Sequence, residues 1–97
     1  MKAYELLFFV APTISDETRL AVMKRIETTI ADGKGTVDNV DVWGKRKLAY
    51  EINGLTDGDY TLIDFHANPE NVAELDRVLR ITDAVVRHMI VKRTDRD

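Results

Sequence analysis

Trp43-Gly44-Lys45-Arg46-Lys47-Leu48-Ala49-Tyr50 is the one stretch of this sequence where an aromatic ring, a glycine and three consecutive cations stand together. Val37, Val40 and Val42 precede it, and Leu48, Tyr50 and Ile52 carry the apolar pattern onward, so it reads as the middle of a long strand. Two kinds of chemistry suit such a run. Lysines can guard an open strand edge against pairing with another chain. A basic finger with a stacking ring can grip a phosphate backbone. The residues alone favour the edge guard.

Elsewhere the residue types argue against catalysis. The two histidines fall apart: His66 at a strand end and His88 on an apolar face, where a satisfied core histidine is the ordinary outcome. Without a cysteine or an HxxxH pair, no transition-metal site is expected, and no disulfide is possible. Ser15, the only serine, is explained as a helix cap, so no serine nucleophile with a base is in view. Gly33-x-Gly35 ends a helix, whereas a phosphate loop would start one. Pro12-Thr13-Ile14 offers no phosphate cradle of the acylphosphatase kind. No cofactor and no small-molecule substrate are expected.

The 97 residues suit one domain over 1–97 with a modest core. A 44% hydrophobic and 32% charged composition is that of a globular chain. The run Leu6 to Ala11 is too short for a membrane span and lacks a signal-like flank, so a cytoplasmic setting without a membrane is expected. A formal charge of -3 excludes nucleic-acid binding through the overall field, which leaves a local patch or a basic partner.

The elements that must position the basic run follow from the pattern. Tyr4 to Ala11 is a strand apolar on both faces, ended by Pro12. A helix follows, capped by Ser15 or Thr13, with Leu20, Met23, Ile26 and Ile30 as its buried stripe and Gly33 and Gly35 as its left-handed stop. The second strand runs from Thr36 to about Ile52, with a bulge at Asp38-Asn39. Simple alternation places Trp43, Lys45 and Lys47 on one face and Arg46 on the other. A loop is expected between Asn53-Gly54 and Asp57-Gly58, then a third strand from Tyr60 to Ala67. Asn68-Pro69-Glu70 starts a helix with Val72, Leu75 and Leu79 buried. A last strand spans Ala84 to about Lys92, before a frayed tail from Arg93 to Asp97.

Strand, helix, strand, strand, helix, strand with right-handed crossovers gives an α+β fold. It is the split βαβ, ferredoxin-like βαββαβ arrangement: a four-stranded antiparallel sheet in order 4-1-3-2 with both helices on one face. The other face should then be polar, yet Leu7, Phe9, Tyr60, Leu62, Met89 and Val91 fall on it, with Arg87 among them. Such an apolar patch marks an interface with a protein partner; the alternatives are a homodimer closing sheet on sheet and an inverted assignment of the faces, since the first and last strands are apolar on both. An RNA recognition motif is a poor match, because Asp57-Gly58-Asp59-Tyr60-Thr61-Leu62-Ile63-Asp64-Phe65 carries acids where that motif needs cations.

Tyr4-Glu5, the run Trp43 to Tyr50 with Ile52, Tyr60, and Leu79-Arg80 with Asp83, Val85 and Arg87 resemble the bacterial small-subunit ribosomal protein S6 family. The resemblance covers essentially the whole chain. It implies the same fold and a structural, non-enzymatic role on the ribosome. It further implies pairing with the basic ribosomal protein S18 and joint binding to the central domain of 16S ribosomal RNA. On that likeness Lys2, Lys45, Arg46, Lys47 and Lys92 contact phosphates, Trp43 belongs to the RNA-binding set, and Arg87 sits where protein and RNA meet. Two other classes share the topology. A small-ligand regulatory domain of the ACT type would need a loop glycine near Pro12-Thr13-Ile14, and a dimeric ferredoxin-like enzyme would need an inward polar cluster. Neither is found in the sequence.

Overall fold

A strand that is apolar on both faces belongs inside a sheet. β1 (Lys2–Val10) lies there, antiparallel to β3 (Leu55–Ala67) on one side and to β4 (Val85–Lys92) on the other. The computed structural model describes residues 1–96. β2 (Thr36–Ile52) pairs antiparallel with the far edge of β3, which completes the order β2-β3-β1-β4. α1 (Asp16–Asp32) and α2 (Pro69–Arg80) pack on the same face. Their Val22, Ile26, Ile30, Leu75 and Leu79 close over Tyr4, Leu6, Phe8 and Val10 of β1 and Ile63, Phe65 and Ala67 of β3. This is the expected ferredoxin-like βαββαβ fold.

α1 begins as its sequence dictates: Thr18 N–H donates to Ser15 Oγ at 3.1 Å, and Asp16 and Glu17 fill the first turn. Its buried stripe differs from expectation. Val22, Ile26 and Ile30 repeat at a spacing of four, and Met23 packs at their rim. Leu20 is 69% exposed; two residues before Val22, it lies about 200° around the helix from it. The left-handed residue after the helix is Lys34, with φ 67°, and not either flanking glycine. Gly35 serves a different purpose, since a Cβ there would come within 2.5 Å of the His66 carbonyl and 2.9 Å of Ile30 Cγ2.

The two longest strands form one hairpin. Its turn is Asn53-Gly54 alone, with φ 50° and 80°, the two positive values that a two-residue primed turn demands. β3 therefore starts at Leu55, and Asp57-Gly58 lies within the strand instead of in a loop. β2 carries the expected irregularity after Val37, a second one between Val42 and Gly44 and a third between Lys47 and Ile52. On β4 a further irregularity sets Val85 opposite Val10, which turns Val85 into the core.

α2 starts at Pro69, but the Asn68 side chain makes no cap; the Asn68 carbonyl accepts from Asn71 and Val72 N–H. Val78 joins the buried stripe beside Leu75 and Leu79. His88 is held by Asp76, Nε2 to Oδ1 at 2.6 Å, and Arg80 takes the other oxygen at 3.1 Å. The tail is not frayed through Arg96. Arg93 N–H donates to the Ala3 carbonyl at 2.8 Å, and Thr94–Arg96 form a 3-10 turn. Asp97 lies outside the described residues.

Gly35→Ala is expected to lower stability by about 1–3 kcal/mol, because its new methyl meets backbone and a core isoleucine. Urea unfolding of the two proteins checks this; an unchanged midpoint would show that the α1–β2 junction has slack it does not display.

Candidate functional site

The face of the sheet away from the helices is built in rows, because residues paired across a ladder point the same way. Arg87, Phe9, Tyr60 and Gly44 form one row. Met89, Leu7, Leu62 and Asp41 form the next. Val91, Glu5, Asp64 and Asn39 form a third. Neither helix covers this face. Met89 is 56% exposed and Val91 39%, while Leu7, Tyr60 and Leu62 are half-buried. A shallow groove of about 320 Å³ runs between Leu7, Phe9, Tyr60, Arg87 and Met89.

Phe9 falls on the expected open face but lies beneath its surface. It is only 4% exposed. Tyr60 stands edge-on to its ring at 5.0 Å, and Gly58 passes so close that a Cβ there would lie 2.6 Å from Phe9 Cδ1. Phe9 thus supports the face from beneath.

The basic run divides between faces for a reason invisible to simple alternation. The extra residue between Val42 and Gly44 inverts the parity of the stretch from Gly44 to Lys47. Gly44, with φ 77°, takes the conformation this requires. Trp43 turns onto the open face, its ring 6.1 Å from Tyr60 and tilted at 52°, and its Nε1 donates to Asp41 Oδ2 at 3.2 Å. Arg46, opposite Gly58, shares the open side, whereas Lys45 and Lys47 stand opposite Asp59 and Asp57 on the helix side. The expected grouping of Trp43 with Lys45 and Lys47 is therefore replaced by Trp43 with Arg46. Asp59 is engaged by Arg19 of α1, and among the described residues no carboxylate ion-pairs with Lys45, Arg46 or Lys47. Arg46 instead donates to the Lys45 carbonyl at 3.3 Å.

The remaining cations do not join this run. Lys2 pairs with Ala67 and Lys45 with Asp59, eight residues apart along β3, or about 26 Å. Lys92 pairs with Tyr4 on the helix side, beside a groove lined by Pro69, Val72, Ala73 and Ile90 of α2 and β4. Arg87 alone sits among the apolar residues of the open face, at the end of the row that leads to Trp43.

At the other end of this face lies a polar cluster that sequence reasoning missed. Arg93 Nη1 donates to Glu5 Oε2 at 3.1 Å. Its guanidinium is pushed above its ordinary range, first by hydrogen bonds to Asp95 and then by the charges of Asp95, Glu5 and Asp64. His66 Nδ1 sits 2.5 Å from Asp38 Oδ2. Glu5, Asp38 and Asp64 lie on three strands and converge only through register, so no local spacing reveals them. Among the described residues no group of three or more acids and histidines is placed to hold a metal ion, and no helix is long and apolar enough to cross a membrane.

Comparison with known proteins settles the family. The ribosomal protein S6 family matches residues 3–92. The chain belongs to the ribosomal protein S6 family. The small ribosomal subunit protein bS6 of Clostridium beijerinckii is 53% identical over 91 residues, covering 94% of this chain and 96% of that protein. The bS6 protein of Clostridium perfringens is also 53% identical, over 92 residues, covering 95% and 97%. The crystal structure of 30S ribosomal protein S6 from Thermotoga maritima superposes with a TM-score of 0.89 at 36% identity, covering 97% of this chain and 89% of that one. The C-terminal domain of MgtC from Mycobacterium tuberculosis, at 11% identity and a TM-score of 0.65, shares the fold alone. As a member of the S6 family the chain is a ribosomal protein of the small subunit, a structural constituent and not an enzyme, and its place is the ribosome in the cytoplasm.

Gly58→Ala forces the Phe9 ring to move and with it the Tyr60–Trp43 packing. A loss of about 1–3 kcal/mol is expected, together with a shift in the fluorescence of Trp43, the only tryptophan. Unchanged emission and stability would mean that the open-face aromatics do not lean on one another.

Proposed function

We propose that this chain, acting as one ferredoxin-like domain over residues 1–97, binds the central domain of 16S ribosomal RNA jointly with ribosomal protein S18. The open sheet face takes the protein partner, and cations beside it take phosphates. The observation that carries the reading is the uncovered apolar zone of Leu7, Leu62, Met89 and Val91 on strands that are neighbours in the sheet. Exposed apolar area of this kind is retained where a second surface removes it from water. The Asp41 carboxylate borders that zone on the same face and meets no cation of the described residues, which favours a basic partner. A chain of net charge -3 gains RNA affinity from such a partner's cations.

Within this reading Arg46, Arg87 and Trp43 lie on the face shared with the protein partner. Lys45 and Lys47 point to the opposite side of the hairpin and serve a separate RNA contact. Lys2 and Lys92, at the far end of the sheet, are further phosphate ligands outside the arm.

Leu62→Asp is expected to weaken pairing with S18 by at least tenfold, the equivalent of about 1.4 kcal/mol, while urea unfolding of the free protein changes little. If the free protein unfolds instead, Leu62 supports the core and the face assignment is wrong. In electrophoretic assays with an rRNA central-domain fragment and S18, replacing Lys45 and Lys47 by Glu should lower the salt slope by about 0.7–0.9 for each phosphate that is no longer neutralised. Unchanged slopes would remove the arm from the RNA interface.

A further inference from the structure

Beside the apolar zone, β2 builds a small polar notch. An extra residue and a glycine with φ 77° are used to roll the Trp43 indole onto the open face. The ring is then fixed from two sides: its Nε1 donates to Asp41 Oδ2 at 3.2 Å, and it leans on Tyr60 at 6.1 Å between centroids. Tyr60 is in turn propped edge-on against Phe9. Trp43 still keeps 37% of its surface exposed, so this bracing does not serve burial. The Asp41 carboxylate, also exposed, meets no cation of the described residues.

An aromatic face beside a carboxylate is a site for a cation, because the ring quadrupole and the full charge attract from the same side. A guanidinium suits it better than an ammonium. Its plane stacks on an indole while its edge donates to a carboxylate, and it sheds water more readily. A nucleobase on the same ring would bring its phosphates toward the Asp41 carboxylate.

We propose that the Trp43–Asp41 notch receives an arginine side chain of the basic protein that covers the open face, an inference that rests on the partner reading above. The arginine stacks on the indole and donates to Asp41 Oδ1. The apolar rows supply contact area, and the notch sets the partner's register along β2.

The test is the affinity of S18 for four variants, measured by titration calorimetry with urea unfolding as the fold control. Trp43→Leu removes the π face, Asp41→Asn removes the charge at nearly constant shape, Trp43→Phe keeps a smaller π face, and Leu62→Asp probes the apolar zone. Trp43→Leu and Asp41→Asn should each weaken pairing roughly 5- to 30-fold, with Trp43→Phe between them and the parent. Asp41→Asn, at an exposed position, carries the test if the loss of the ring destabilises the hairpin. Parent-like pairing by Trp43→Leu and Asp41→Asn, with pairing abolished in Leu62→Asp, would overturn the notch and leave the face reading standing. Parent-like pairing by all of them would overturn both. Normal pairing without rRNA binding in Trp43→Leu would assign the ring to a base and overturn the arginine.

Discussion

Two helices cover only one side of a four-stranded sheet, and everything else in this molecule follows from that asymmetry. β1 is apolar on both sides. Leu6 and Phe8 are sealed beneath α1 and α2, while Leu7 on the alternate side has only its neighbours Leu62 and Met89 for company. Burying such side chains is worth on the order of 1.5–3 kcal/mol each, and this chain leaves part of that gain unrealised on its open face, most of all at Met89 and Val91. A ribosomal protein can carry such a face because its working state is an assembly. The S6 family membership and the uncovered face therefore point the same way, though they are independent observations.

The long hairpin is the second constraint. β2 runs beyond the part of the sheet that the helices shield, so its side chains are shaped by neighbours on β3 and little else. One extra residue at Trp43 decides what each side of this arm presents. It places the indole and Arg46 with the apolar rows and sends Lys45 and Lys47 to the other side. Asp59 and Asp57 opposite those lysines temper their field, and Arg19 ties Asp59 back to α1. The arm is thus anchored at its base while its cations stay clear of ion pairs among the described residues.

Much of this is legible in the residues. The order of elements, the one-sided helices and the bulge near Asp38 follow from periodicity, proline and glycine placement, and broken alternation. The failures share a physical cause. A bulge costs one residue and inverts a face, and no single-strand pattern announces it, so alternation puts Trp43 and Lys45 on one side when the fold separates them. Asp57-Gly58 has the chemistry of a turn, yet Gly58 is there to make room for Phe9, a neighbour it acquires only after folding. Leu20 and Val22 are equally apolar, and only the docking angle of α1 decides which is buried. The acidic border of the open face joins Glu5, Asp41 and Asp64 across three strands, which only the sheet register can assemble.

The most direct measurement is a map of amide and methyl shifts in the isotope-labelled protein as unlabelled S18 is added. The proposed assembly requires the largest changes at Leu7, Leu62, Met89, Val91 and the Trp43 indole, with Leu20 and Ile81 on the helix side undisturbed. Changes confined to the outer surfaces of α1 and α2, with the sheet face silent, would contradict it.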